Sequence, residues 1–73
     1  MIYKFKAIDS DRIVLIEKYD DVLIYTSVGD GNKITKTNRV DEFYSLDEFE
    51  NYCDDIIQDL LFDDELYLDK VVN

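Results

Sequence analysis

Residues 54–69 read D-D-I-I-Q-D-L-L-F-D-D-E-L-Y-L-D, six Asp and one Glu among large apolar side chains, without one Lys, Arg or His. Carboxylates in such numbers can do three kinds of chemistry. A pair in a cleft, with pKa values pushed apart, performs general acid–base catalysis. A convergent set of oxygens holds a hard cation. A regular exposed array presents negative charge much as a phosphate backbone does.

The rest of the chain narrows the choice. It has no His, no Gly-rich phosphate loop and no nucleophile elbow, and its one Cys, Cys53, can form neither an internal disulfide framework nor a zinc set. A chain of 73 residues also offers little cleft. Catalysis is therefore not expected. Gly29-Asp30-Gly31-Asn32-Lys33 lacks the spaced acids and twelfth-position Glu of a calcium loop. Asp63-Asp64-Glu65 could hold a hard cation only non-specifically, so no metal or cofactor is expected.

The charge is unevenly placed. Residues 1–40 hold six acids and seven bases, whereas residues 41–73 hold twelve acids against Lys70 alone, which accounts for the net −10. Such asymmetry bears on partner choice and steering rather than on fold. An apolar fraction of 47% with ten aromatics is too hydrophobic for a disordered acidic tail. Two Gly and no Pro argue for a packed domain over a linker. The N-terminus is too short and too alternating for a signal peptide, and no apolar run approaches a membrane span of about 20 residues. A single cytoplasmic domain, 1–73, is expected.

The elements that must position the acids follow from periodicity. The fold class expected is α+β, with a small antiparallel meander of three to four strands over 1–40 packed on one amphipathic acidic helix. Tyr3, Phe5 and Ala7 alternate with Lys4 and Lys6, as in a half-buried strand. Arg12 to Ile16 is nearly all apolar and suits a central strand. Val22 to Ser27 reads as a third strand. Gly29-Asp30-Gly31-Asn32 is a hairpin loop, and Lys33 to Val40 reads as an edge strand blunted by its lysines. Ser45-Leu46-Asp47-Glu48 predicts a capping box, with Tyr44 and Phe49 as its hydrophobic staple. The helix is expected over 44–62, with Leu46, Phe49, Cys53, Ile56, Ile57 and Leu60 as the apolar stripe. Leu66, Leu68 and Val72 alternate as in a strand over 65–72, although nothing forbids a second short helix there.

A charge run on a helix is usually only its solvated face. Three features set this one apart. Asp55/Asp59 and Asp59/Asp63 are like-charge pairs four residues apart, each unfavourable by about 0.2–0.5 kcal/mol on a helix. Asp, a poorer helix former than Glu, dominates the later turns. Acids near a helix C-terminus also oppose the macrodipole. If 47–64 is helical, Asp47, Glu48, Glu50, Asp54, Asp55, Asp59, Asp63 and Asp64 fall along about 26 Å, roughly one charge per 3 Å. One strand of B-DNA carries a charge about every 3.4 Å. Tyr52 and Tyr67 add rings of the kind enriched at interface hot spots. These ten residues form the candidate partner-binding surface.

In size, in its acidic block from Asp41 to Asp69 and in an α+β plan without catalytic residues, the chain resembles the small acidic inhibitors encoded by phages and mobile elements. That class includes DNA-mimic anti-restriction proteins, inhibitors of uracil-DNA glycosylase and several anti-CRISPR proteins. The resemblance implies a non-catalytic blocker whose partner is a protein with a basic nucleic-acid-binding groove, met in the host cytoplasm. The competing expectation is an adaptor whose acidic face meets a basic partner without imitating nucleic acid. Direct nucleic-acid binding is disfavoured, because net −10 repels phosphates, and no membrane partner is expected.

Overall fold

A computed structural model describes all of residues 1–73. Five strands form one antiparallel sheet: β1 (Ile2–Ala7), β2 (Ile13–Lys18), β3 (Val22–Gly29), β4 (Asn32–Arg39) and β5 (Leu66–Val72). Their order across the sheet is β4-β3-β2-β1-β5. The chain thus lays down a four-strand meander and leaves from the β4 edge. A single 3-10 turn (Val40–Glu42) then leads to helix α1 (Leu46–Leu61), which crosses one face of the sheet to deliver β5 beside β1 at the other edge. The fold is α+β, and residues 66–72 are strand.

Local chemistry explains the turns. Asp30 and Gly31 both take positive φ (52° and 75°), so β3 and β4 are joined by a two-residue hairpin loop. That handedness matches strand twist, and Asp-Gly supplies it at little steric cost. After β4, the Arg39 amide donates to Glu42 Oε1 at 2.8 Å, fixing the 3-10 turn. The helix then starts at Ser45, whose hydroxyl accepts from the Glu48 amide at 3.1 Å.

The expected entry to the helix is only half realised. Ser45 caps, but the Glu48 side chain does not return the bond. Tyr44 is 99% exposed and staples nothing. The stapling ring belongs to the residue before it. Phe43 meets Phe49 edge-on at 5.5 Å between centroids and tilts against Tyr52 at 5.2 Å. Leu46, placed on the apolar stripe by its spacing, is 57% exposed.

The core lies between the helix and one sheet face. Phe5, Val14, Ile16 and Leu23 of the sheet, with Leu66 of β5, meet Phe49, Cys53 and Ile57 of α1. These eight are the only buried residues, and none is polar or charged. The register puts Tyr3, Phe5 and Ala7 on this inner face, opposite Ile16, Val14 and Leu66. A β-bulge between Lys4 and Phe5 of β1 leaves Asp69 as the extra residue in β5. The bulge turns Asp69 to the outer face, where its carboxylate lies 3.9 Å from Lys4 Nζ and 3.7 Å from Lys6 Nζ.

So small a core makes single truncations costly. Phe49→Ala is expected to lose about 3–5 kcal/mol, against a total that rarely exceeds about 5 kcal/mol at this size. Circular dichroism should therefore show a largely unfolded chain at 25 °C. Ser45→Ala should lose about 1 kcal/mol in urea unfolding, while Tyr44→Ala should stay within about 0.5 kcal/mol of the parent.

Candidate functional site

Helix α1 carries six acids and no base over its sixteen residues. Because Phe49, Cys53 and Ile57 recur at four-residue spacing, they occupy one narrow stripe, and the opposite half of the helix faces water. Asp47, Glu50 and Asp54 fall on one flank of that half, at steps of three and four. Glu48, Asp55 and Asp59 fall on the other, at steps of seven and four. Asn51 and Gln58 ride the crest between them. All six acids are exposed except Glu50, which is half-buried. The surface is therefore two rows of carboxylates rather than a single line.

Only one base from the meander reaches these rows. Lys18 Nζ lies 3.1 Å from Glu50 Oε1, donates to the Tyr19 carbonyl, and sits 5.1 Å from the centre of the Phe49 ring. It anchors one flank to β2. Asp47, Glu48, Asp54, Asp55 and Asp59 form no ion pair. Six charges over the twelve steps from Asp47 to Asp59 span about 18 Å, still roughly one per 3 Å.

The other four sequence candidates separate from this surface. The helix ends at Leu61, so Asp63 and Asp64 lie in the turn before β5 and Asp59/Asp63 is not an on-helix pair. Asp63 is a turn residue: its carboxylate accepts the Glu65 amide at 2.8 Å and its carbonyl accepts the Leu66 amide. Tyr52 is half-buried at the core margin, its hydroxyl bonded to Asn38 Oδ1 at 3.2 Å. With Leu23, Tyr25, Lys36, Asn38 and Ile56 it lines a notch of about 130 Å³ between α1 and the β3–β4 edge. Tyr67 pairs with Lys6 on the outer face of the sheet, across the molecule from α1. It cannot share a partner surface with the helix acids.

Two side chains titrate away from their ordinary range. Burial pushes the Cys53 thiol up, opposed by Lys18 and reinforced by Glu50 and Asp54. The Tyr19 phenol is raised by its hydrogen bond to Glu17 Oε2, at 2.8 Å, then by desolvation and by the Glu17 charge. Neither group faces a cavity. No three His, Cys, Asp or Glu side chains are grouped as a metal site. No helix is long and apolar enough to cross a membrane. No family model, curated protein or solved structure matches the chain at a significant level.

The Cys53 environment gives a signed pH dependence. A thiol whose folded pKa is raised contributes stability that is complete below the unfolded value, about 8.5. That contribution is lost as pH rises through the raised folded value. The urea midpoint should therefore decline above about pH 8.5, and more shallowly in Cys53→Ala. At neutral pH a thiol reagent should label Cys53 only at the rate at which the core opens.

Proposed function

We propose that the protein is a non-catalytic inhibitor that blocks a nucleic-acid-binding protein, its two rows of helix carboxylates occupying the basic groove meant for phosphates. The observation that carries this reading is that five of the six α1 acids stand without an ion pair on one rigid element, at a linear density close to that of a phosphate strand. Asp54, Asp55 and Asp59 make no contact that seats the helix, whose buried residues are all apolar; among the α1 acids Glu50 alone is tied to the sheet, by Lys18. The target class is a nuclease, a restriction or CRISPR effector, or a repair enzyme. Each holds nucleic acid in a channel lined with Lys and Arg, and an anionic helix meets that lining without base-specific contacts. On this reading the protein acts in the cytoplasm, the host's if a phage or mobile element encodes it.

Competition tests the proposal. The tagged protein is incubated with lysate of its source cell, and the captured partner is challenged with duplex DNA, with RNA and with rising salt. Nucleic acid should displace the partner, and affinity should fall steeply with salt, as it does for phosphate contacts. Asp55→Lys with Asp59→Lys should weaken capture at least about tenfold. A partner held equally well under saturating nucleic acid would identify an adaptor instead.

A further inference from the structure

The face of the sheet turned away from α1 has no cover, yet it is built as though it had one. Antiparallel sheets with one face in water usually alternate apolar-in with polar-out. Two of the three inner strands, β2 and β3, break that rule. Ile13 and Leu15 of β2, with Val22, Ile24 and Val28 of β3, point outward, and Ile2 of β1 extends the band. Ile13 lies opposite Val28 and Leu15 is the diagonal neighbour of Ile24, while Thr26 lies opposite Leu15 and Glu17 lies opposite both Ile24 and Ile2.

Bases rim it. Lys33 and Arg39 stand on the β4 side, opposite Val28 and Val22, while Lys4, Lys6 and Lys70 stand on the β1–β5 side. This face thus holds five of the eight bases in the chain, and its strands carry only Glu17 and Asp69 among the eighteen acids. Lys4 and Lys70 are direct cross-strand partners, an unfavourable pairing that the Asp69 bulge relieves.

The inner face shows what such a surface accepts. There the same sheet seats an amphipathic helix with an apolar seam and acidic flanks, tied at its margin by Lys18 to Glu50. We infer that the outer face is a second docking surface, and that its occupant is an amphipathic helix of a partner protein with an aliphatic seam and acidic flanks. Five strands about 4.8 Å apart give roughly 20 Å of width, which a helix of about 18 residues crosses with its ends free. A second copy of this face is a poor occupant, since it would set five bases against five. Nucleic acid is a poor one too, because the band is aliphatic and Tyr67, at the β5 edge beside Lys6, makes no row of rings on which successive bases could stack. An anionic membrane must overcome the net charge of −10. The inference does not depend on the role of α1.

The test uses the full chain, isotopically labelled, and two synthetic 18-residue peptides. One carries Leu at the i, i+3, i+4 and i+7 positions with Glu at the flanks; the other has Lys in place of every Glu. The Glu peptide should shift the amides around Leu15 and Ile24 with Kd below about 100 μM, and the Lys peptide should leave them in place. Leu15→Thr with Ile24→Thr should weaken binding at least about tenfold. Lys4→Glu with Lys33→Glu, which leaves the aliphatic band intact, should do the same. The inference is overturned if the Glu peptide moves nothing at about 1 mM, if both peptides act equally, or if its shifts fall on α1. A dimer formed through the outer face without peptide, or tighter binding of anionic vesicles there, would overturn it equally.

Discussion

Three side chains of α1 fasten the helix to the sheet, and the rest of the structure depends on that seam. Phe49, Cys53 and Ile57 are its buried residues, and they meet a sheet face whose own contribution is Phe5, Val14, Ile16 and Leu23, joined by Leu66. With only eight buried residues in the molecule, no other element supplies a core. The seam also frees the remainder of the helix. A stripe at four-residue spacing uses less than half the circumference, so the outer half can take any polar side chain without a packing penalty. That it takes only acids and amides, with no compensating base, is a choice the fold does not impose.

The molecule is in consequence two-sided in charge. The helix layer is anionic, and the outward sheet face is aliphatic with a cationic rim. Lys18 marks the boundary between them, reaching from β2 to Glu50 and lying against the Phe49 ring. A separation of this kind produces a field with a direction, which orients a charged partner before contact. It also lets the two surfaces act independently, since the sheet itself lies between them.

Most of the architecture was legible because it rests on local rules. Alternation in Tyr3–Phe5–Ala7 placed those side chains correctly on the inner face, the apolar run of β2 matched a central strand, and Asp30-Gly31 formed the hairpin its composition requires. The departures come where a local pattern leaves a geometric freedom. In the extended segment between the 3-10 turn and Ser45, neighbouring residues point opposite ways. The turn decides that Phe43 goes inward and Tyr44 outward. Helical spacing gives the direction of Leu46 but not the extent of the sheet beneath it, and Leu46 stands exposed. Helix α1 ends at Leu61, within one residue of the expected boundary, which leaves Asp63 and Asp64 beyond it, and the bulge at Asp69 has no marker in the sequence. Asp63, Asp64 and Tyr67 therefore joined the acidic surface in sequence but not in space. The outer face was half visible, in the apolar run of β2. Its cationic rim was not, because Lys4, Lys33, Arg39 and Lys70 come together only once strand order and register are known.

The central claim is that the unpaired carboxylates on the later turns of α1, Asp54, Asp55 and Asp59, are carried by the fold without supporting it. Urea unfolding of the parent and of Asp55→Asn with Asp59→Asn, at low salt and neutral pH, tests this most directly. The substitution keeps shape and helix propensity nearly constant while removing a like-charge pair four residues apart. The account predicts unchanged stability or a gain of about 0.2–0.5 kcal/mol. A loss beyond about 1 kcal/mol would show these acids to be structural, and the reading of α1 as a surface meant for a partner would fall with it.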